Sequence, residues 1–536
     1  MAHPKALRPD WLPAVALSAA LAAVMLVWNP QVGDLAAQVF RTELFQRGGM
    51  AIWNGSWYGG HYTLTYSVLF PPLAALLGPR LVGAVAVIAS SYLFDRLIRD
   101  RWGVAARWAT LWFAAGVVTL LADGQLTFAL GVAFGLGSLR ALQLHRGKTA
   151  IAAAAGCALS SPVAAGFLAG VVLIGALERG RPFKRVAVLV AAIALALIVI
   201  PNLAFPEPGQ FPFSLSSFIA IPIWCGSALY VTRGLREEER QLRWAIAAYL
   251  LVSIAIWLTP NPMGGNAVRL GALFGGPVLA AVVLSRRPRV KVWFLALFMA
   301  GGLYWQLTAS VSQIARAVGD PSTSSSYFQP VANWLREHGG RSVRIEVPPT
   351  ADHWESAYLA PGFELARGWL RQLDTTRDDI FYGEGTLTNA TYSAWLRNNA
   401  IRYVALPDAP LDYSSEAEKR LVLNDPPYLA LRWRSAHWRV YAVRNPEPLV
   451  DPVGVAVART RWIGRQGFSL DVSRPGDFLV RVNFTPYWSF DRGSGCLFRR
   501  GNWTLLHAPR RGVLSVSADF SLGSAWNAVT GAPQTC

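Results

Sequence analysis

Residues 28–73 read WNPQVGDLAAQVFRTELFQRGGMAIWNGSWYGGHYTLTYSVLFPPL, and they follow the first long apolar segment of the chain. One acidic residue, Asp34, opens a run in which Asp34, Gln38, Arg41 and Phe45 recur on one helical face. A loop crowded with Trp, Tyr, Asn, Gly and His comes next. If the first apolar segment leads out of the cell, residues 28–73 form an outer loop, and this placement decides the rest of the interpretation.

The composition indicates a membrane protein. The chain has 536 residues, of which 53% are hydrophobic and 15% are charged, whereas soluble domains average about 25% charged residues. Apolar blocks dominate up to about residue 310, and polar and apolar residues alternate after it. We therefore predict a membrane domain over 1–315, an α/β domain over 327–446 and a β-sandwich over 450–536. The small polar stretch GDPSTSSS is the linker.

The apolar segments predict a polytopic α-helical membrane domain. The first follows Lys5 and Arg8 and lacks a small-x-small cleavage site before Trp28, which favours an uncleaved span. The pair around Ser160 to Pro162 is short and predicts two half-helices or a re-entrant hairpin. With the hairpin counted as two, about eleven spans result, the later ones at 80–98, 104–121, 125–142, 149–160, 162–177, 186–201, 218–232, 244–259, 268–284 and 291–310.

The distribution of basic residues predicts the topology. The net charge is +18, and most of the excess lies in short loops between apolar blocks. Loops assigned to the cytoplasm hold 21 Lys and Arg residues, against four on the opposite side, which are Arg41, Arg47, Arg80 and Arg269. This positive-inside pattern predicts a multi-pass cell-membrane protein with a cytoplasmic N-terminus and extracytoplasmic C-terminal domains. It also argues against a nucleic-acid partner.

Acidic residues are scarce on the predicted outer face, where Asp34 is the candidate general base. A carboxylate can take a proton from an acceptor hydroxyl, and a cation can stabilise a departing phosphate. Arg269, after the loop PNPMGGNAV, is the candidate phosphate ligand, and Arg41 is a weaker substitute. Two structural interpretations stay open. Asp34 after Gly33 is also suited to cap a helix, and Arg269 is also suited to snorkel to the membrane interface.

Aromatic residues supply further candidate contacts. In the first loop, Trp57 and Tyr58, with His61 beside them, could contact a substrate, or they could belong to an interfacial aromatic belt. Residues 352–374, DHWESAYLAPGFELARGWLRQLD, mix acids, arginines and tryptophans. Trp354 and Glu355 are candidate acceptor contacts there, together with Arg367 and Trp369, and the alternative is a partly buried structural role.

Metal and nucleotide motifs are absent from the sequence. No pair of the four cysteines has zinc-ligand spacing, and Cys496 and Cys536, both predicted outside, could form a disulfide. The chain has no Gly-x-x-x-x-Gly-Lys loop to cradle phosphates. These observations argue against an ATPase and predict no metal site.

The order of these features resembles the GT-C class of membrane glycosyltransferases. The matching features are one span, an outer loop with an early acidic residue, a WYGGHY aromatic segment and FPPL, followed by DGQLTFALGVAFGLGSLRAL at 123–142. The external segments YFQPVANWLREHGG, IRYVALP and HWRVYAV resemble those of actinobacterial membrane proteins grouped with that class or with YfhO-like proteins.

The resemblance implies a polyprenyl-phosphate sugar as donor and a glycan or glycolipid outside the membrane as acceptor. It further implies contact with membrane lipid. It also implies a catalytic acid in the first outer loop, a position that Asp34 matches. Many members have adjacent acids there, whereas this chain has Gly33-Asp34-Leu35. This departure weakens the case for a metal at that loop. Asp123 matches the second-loop acid of metal-dependent members, so a divalent cation stays open, and the alternative for Asp123 is a helix cap before Gly124.

Two other functional classes fit the same sequence. A lipid or glycan transporter or flippase could use the broken helix near Pro162 as a midplane site. A non-catalytic scaffold could present the external domain to partners in the cell envelope.

Overall fold

The computed structural model describes residues 11–176, 184–233, 240–287, 290–339 and 342–531. The chain divides into two compact units. The first comprises Met1–Gln38, Tyr66–Val199 and Gln210–Ala315, and the second comprises Val39–Thr65, Ile200–Gly209 and Arg316–Cys536. The division near residue 315 agrees with the predicted boundary. Residues 39–65 and 200–209, which the sequence assigned to the membrane domain, instead belong to the second unit.

The N-terminal part of the chain is helical. Its helices are α1 (Leu12–Trp28), α2 (Gly33–Gly48), α3 (Phe70–Leu77), α4 (Pro79–Trp102), α5 (Arg107–Gly116), α6 (Thr119–Ala122), α7 (Leu126–Gln143), α8 (Gly147–Ser160), α9 (Pro162–Ala176), α10 (Lys184–Ala204), α11 (Leu215–Phe218), α12 (Ala220–Thr232), α13 (Arg240–Leu258), α14 (Val268–Leu270), α15 (Gly276–Arg286) and α16 (Val292–Ala317).

Eight helical segments of the described residues are long and apolar enough to cross a membrane. The segments are Pro79–Trp102, Val104–Ala122, Leu126–Gln143, Lys184–Ala204, Leu215–Thr232, Arg240–Leu258, Gly264–Arg286 and Val292–Ala317. The helices α1 and α2 pass the same test as a pair bent by 78°. The prediction of many long apolar helices in the N-terminal part is thereby confirmed, whereas the count of about eleven spans stays a prediction. The predicted inner charges Lys5, Arg8, Arg179, Arg181, Arg236 and Arg289 lie outside the described residues.

Local sequence explains where these helices end. α4 begins at Pro79 directly after Gly78 and stops at Gly103, whose positive φ of 71° ends the helix while its N–H bonds to Arg99 O. The predicted break before Pro162 is present, because Ser161 is extended and separates α8 from α9. These helices have 14 and 15 residues, or roughly 21–23 Å each, which is less than a bilayer core of about 30 Å.

A short antiparallel pair, β1 (Trp53–Asn54) and β2 (His61–Tyr62), lies in the first-loop segment of the second unit. A mixed five-stranded sheet begins the C-terminal part, in the order β4-β3-β5-β7-β6. β3 is parallel to β4 and β5, while β7 is antiparallel to β5 and β6. Helices and strands alternate over 327–446, as expected of an α/β domain. The elements are α17 (Ser325–Gly339), β3 (Arg344–Glu346), α18 (Glu355–Tyr358), β4 (Glu364–Leu365), α19 (Arg371–Arg377), α20 (Asn389–Asn398), β5 (Ile401–Pro407), α21 (Glu416–Leu423), β6 (Leu429–Arg434) and β7 (Trp438–Val443).

Two four-stranded antiparallel sheets follow, in the orders β12-β15-β10-β9 and β13-β14-β11-β8. Side chains from both sheets share one hydrophobic cluster, which includes Phe468, Leu470, Phe478 and Val480. Such a shared core between two sheets is the architecture of a sandwich. The strands are β8 (Val450–Val453), β9 (Val457–Ile463), β10 (Gly467–Arg474), β11 (Gly476–Asn483), β12 (Trp488–Arg492), β13 (Cys496–Arg500), β14 (Trp503–Ala508) and β15 (Gly512–Ala518).

The segment 450–536, predicted as a β-sandwich, also contains a helix. A final helix, α22 (Leu522–Thr530), follows β15, and the Ser521 hydroxyl caps it by accepting from Ser524 N. Cys496 is disulfide-bonded, and its predicted partner Cys536 lies outside the described residues. Cys157 and Cys225 are free and buried.

A cluster of buried charges lies inside the five-stranded part, centred on Arg367. The guanidinium makes two hydrogen bonds to Asp374, at 3.1 and 2.6 Å, and lies 3.5 Å from Glu418 Oε2. Asp378 accepts a 2.8 Å hydrogen bond from Trp395 Nε1. Neither carboxylate oxygen of the fully buried Glu346 has a hydrogen-bond partner among the described residues. Arg367 thus contacts two of the carboxyl groups, and burial raises the pKa of Asp378 to about 8 and that of Glu418 to about 7.

Candidate functional site

Asp34 lies in the first turn of α2, which begins at Gly33. Asp34 thus lies inside the helix, one residue after its start, and not before it. A carboxylate in the first turn still faces the positive end of the helix dipole. The side chain is partly exposed, so it is accessible to solvent while it lies next to the helix N-terminus.

Asp123 lies between the candidate spans Val104–Ala122 and Leu126–Gln143. Asp123 is the C-cap residue of α6, where its N–H bonds to Thr119 O, and it does not cap α7, whose N-cap is Gln125. Asp123 is buried, and its Oδ1 has no hydrogen-bond partner in the described part of the chain. Burial raises the pKa of Asp123 to about 7, and the nearby Asp34 raises it further, whereas Ser310 and Arg269 oppose the shift.

A close approach of two loops brings the acids together. Gly124 has a φ of +73°, and a Cβ built on it would lie 2.5 Å from Leu35 N and 3.1 Å from Asp34 C. Only glycine fits such a backbone contact in this conformation. The turn after Asp123 is thus packed against the first turn of α2.

Arg269 completes the group. Its Nη2 lies 3.9 Å from Asp34 Oδ2, and its guanidinium lies 5.2 Å from the centre of the Phe128 ring. The arginine is held between a carboxylate and an aromatic face. Arg41 lies seven residues after Asp34 on α2, which corresponds to roughly 10 Å along the helix axis. The structure therefore brings Asp34, Asp123 and Arg269 together.

The helix that carries Arg269 is irregular. A 3₁₀ turn (Gly264–Ala267) precedes α14, and a π-helical turn (Gly271–Gly275) follows it. The Tyr249 hydroxyl donates to Ala267 O at 2.9 Å and accepts from Gly271 N at 3.3 Å. A regular helix would pair these two backbone groups with each other. The tyrosine is thus inserted into the helix at the residue pair that flanks Arg269, and insertions of this kind are frequent at functional sites.

Loss of the Tyr249 hydroxyl is expected to disturb this segment. Tyr249→Phe would leave Ala267 O and Gly271 N–H to re-pair or stay unsatisfied, at a cost of about 1–3 kcal/mol. We expect a lower midpoint of thermal unfolding in detergent and faster hydrogen exchange at residues 267–275. Tyr304→Phe is the matched control, because Tyr304 is exposed on α16. Equal unfolding midpoints and exchange rates for the two variants would contradict the role of the inserted hydroxyl.

A cavity of about 740 Å³ opens beside Asp123 and Arg269, which are the only charged residues among its described lining. The rest of the lining is mostly apolar and includes Trp224, Phe298 and Trp305. Ile223, Leu297 and Tyr304 also line it, and each is more than half exposed. The cavity therefore joins a polar end to an apolar, laterally open groove.

The first-loop aromatic residues lie in the second unit and are buried. Trp57 is 0% exposed, stacks on Phe40 and His61, and donates to Ser356 O. Tyr58 donates to Leu370 O. Burial lowers the pKa of His61, and the positive charges of Arg41 and Arg377 lower it further. These side chains form a packed core in the structure, and none presents an open face for stacking on a sugar.

Trp354 and Glu355 are also buried. Trp354 stacks on Tyr358, and Glu355 accepts hydrogen bonds from the backbone N–H and hydroxyl of Thr350. His353 lies 3.4 Å from Glu355. Their contacts match the structural interpretation weighed for residues 352–374.

The sequence interpretation missed the polar residues of α16. Gln306 accepts a 2.7 Å hydrogen bond from Trp112 Nε1 and donates to Leu273 O in the π-helical turn, and Ser310 lies near Asp123. Their spacing of four residues within an apolar span was a usable signal, because polar residues in spans usually face the protein interior. The sequence around Tyr249 gave no comparable indication that this residue contacts the helix of Arg269.

No protein-family model matches this chain, and no curated protein matches it either. Among the described residues, no three His, Cys, Asp or Glu side chains are grouped as a metal ion would require. The chemistry of the site therefore depends on Asp34, Asp123, Arg269 and the cavity.

Proposed function

We propose that the protein is a membrane glycosyltransferase, which moves a sugar from a polyprenyl-phosphate donor to a cell-envelope glycan or glycolipid. The observation that carries the proposal is the pairing of Asp34 with Arg269 at 3.9 Å, next to a mostly apolar cavity with a polar end. A donor of this class has the complementary parts: a long apolar chain, an anionic phosphate and a polar sugar.

The roles follow from the charges. Asp34 accepts the proton of the acceptor hydroxyl while the acceptor oxygen forms a bond to the anomeric carbon. The bond between that carbon and the phosphate oxygen breaks, and the polyprenyl phosphate leaves with the electron pair. Arg269 stabilises the phosphate, since a guanidinium has five N–H donors and can contact phosphate and carboxylate together. Asp123, at the cavity wall, hydrogen-bonds a substrate hydroxyl.

The lateral opening of the cavity supports a lipid-borne donor. Ile223 and Leu297 form an apolar rim on helices that are themselves candidate spans. A polyprenyl chain could enter there from the bilayer without crossing water, whereas a water-soluble nucleotide sugar has no apolar part to fill such a groove. The apolar rim thus selects for the lipid part of the donor and not for a particular sugar.

The test is a transfer assay with purified protein in lipid. Polyprenyl-phosphate sugars form the donor panel, membrane-derived glycans and glycolipids are the acceptors, and wild type and Asp34→Asn are compared side by side. We expect transfer by the wild type from at least one donor. A folded wild type that transfers from no donor would reject the proposal.

The competing classes give different results in the same preparation. A transporter or flippase would move a fluorescent lipid-linked sugar across the bilayer without forming a product. A scaffold would do neither. The broken helix pair α8 and α9 is the feature that keeps the transporter as the second candidate.

A further inference from the structure

The last helix of the chain has an apolar face with no protein cover among the described residues. Leu522, Trp526 and Val529 recur at i, i+4 and i+7 on α22, and they are 82%, 68% and 50% exposed. Residues at this spacing lie on one side of a helix. The segment from Phe520 to Cys536 contains no Asp, Glu, Lys, Arg or His.

The neighbouring face of α22 fixes its position. Ala525 and Ala528 pack against the hydrophobic cluster of the sandwich, which also contains Phe205 and the partly buried Ala204. Phe520, just before the helix, lies 6.3 Å from Phe205 between ring centres. Tyr487 stacks on Phe520 and donates a 2.7 Å hydrogen bond to Ala204 O. The helix α22 is thus packed at the C-terminal end of α10.

The length and composition of α10 suit a membrane span. α10 has 21 residues, or roughly 31 Å, which matches a hydrocarbon core of about 30 Å. It begins with Lys184 and Arg185, and it is more apolar than the other candidate spans of the described chain. A helix only just long enough to cross has both ends at the interfaces, so a membrane-spanning α10 would place Ala204 and Phe205 at the interface opposite Lys184.

We propose that α22 is an interfacial anchor, whose face of Leu522, Trp526 and Val529 inserts into the lipid leaflet at the end of α10. Tryptophan favours the boundary between acyl chains and headgroups, and an uncharged amphipathic helix binds through its apolar area. The occupant of the face is therefore lipid. The anchor holds the sandwich down on the membrane next to the span.

A spin label tests the proposal in the full chain. Val529→Cys is labelled with a nitroxide in a background with Cys157→Ala and Cys225→Ala, and the protein is placed in lipid nanodiscs at one chain per disc. Oxygen partitions into lipid, whereas a water-soluble nickel chelate does not. We expect relaxation of the label at position 529 to respond severalfold more strongly to oxygen than to nickel.

Leu431→Cys on the edge strand β6 is the matched control, because Leu431 and Val529 are 52% and 50% exposed. Its label is expected to favour nickel. Trp526→Cys provides a second reporter on the same face of α22 if the first label perturbs the helix. Equal nickel access at 529 and 431 would reject the anchor. Shielding from both reagents that appears only with two chains per disc would also reject it, in favour of a second copy.

Discussion

Asp34→Asn is expected to reduce sugar transfer by about a hundredfold to ten-thousandfold, the usual contribution of a general base. Asparagine keeps the shape of the side chain but cannot take the proton of the acceptor hydroxyl. The loss should appear in kcat, because donor binding depends on Arg269 and the apolar cavity. Initial rates measured over a range of donor concentrations separate the two quantities.

The controls for this prediction come from the same protein. Glu43→Gln removes an acid from the same helix, where Glu43 pairs with Arg47, and it should retain the wild-type rate. Asp123→Asn distinguishes the two acids of the site. If Asp123 were the base, its variant would show the larger loss, and the wild-type rate would rise with pH through about 7 as Asp123 ionises. Full transfer by Asp34→Asn would contradict the proposed mechanism.

The sequence predicted well those features that depend on local patterns. Hydropathy located the long helices because a span needs about 20 apolar residues, whatever its neighbours are. The combination of Ser161 and Pro162 located the break between α8 and α9, since the residue before proline avoids the helical conformation. The alternation of polar and apolar residues after about residue 310 likewise indicated the sheet-rich C-terminal part.

Helix starts were predicted less well, and this changed the interpretation of the site. Asp123 does cap a helix, but it caps the C-terminal end of α6 and not the start of α7, whereas α2 already starts at Gly33, before Asp34. A helix start one residue earlier puts the Asp34 carboxylate inside the first turn of α2. The turn after Asp123 packs there, since Gly124 lies against Leu35, and a contact between residues so far apart in sequence has no signature in a local pattern.

The aromatic loop shows a second limit. Trp57 and Tyr58 were candidates for stacking on a sugar because a loop of aromatic residues suggests an open platform. Their hydrogen-bond partners are Ser356 and Leu370, about 300 positions later in the chain. Hydrogen bonds to such distant residues bury the aromatic side chains in a core, although their local sequence suggests a binding surface. A single sequence offers no signal for which distant segment will cover a given aromatic face.

Arg367→Met is expected to unfold the five-stranded part at neutral pH. The arginine is buried and is the cation shared by Asp374 and Glu418. Removal of one partner from a buried ion pair costs about 3–5 kcal/mol, because the remaining charge stays buried. A domain has roughly 5–15 kcal/mol of stability in total. Hydrogen exchange of the β3 and β5 peptides in the full chain measures the loss, and Arg402→Met, at an exposed position of β5, is the control.

The pH dependence of this variant identifies the cause. Burial holds the pKa of Asp378 at about 8 and that of Glu418 at about 7, well above their ordinary values near 4. The folded state therefore keeps protons that the unfolded state has released, so stability is greatest below about pH 4 for these groups and falls as pH rises toward 8. Arg367 lowers both pKa values, and its loss would steepen this fall. In the Arg367→Met variant, the amides of β3 and β5 should therefore stay protected from hydrogen exchange at about pH 5 and lose that protection by about pH 8. The exchange rates are compared after correction for the pH dependence of intrinsic exchange. Equal loss at both pH values would mean that packing over Phe381, and not charge, is the reason the arginine is needed.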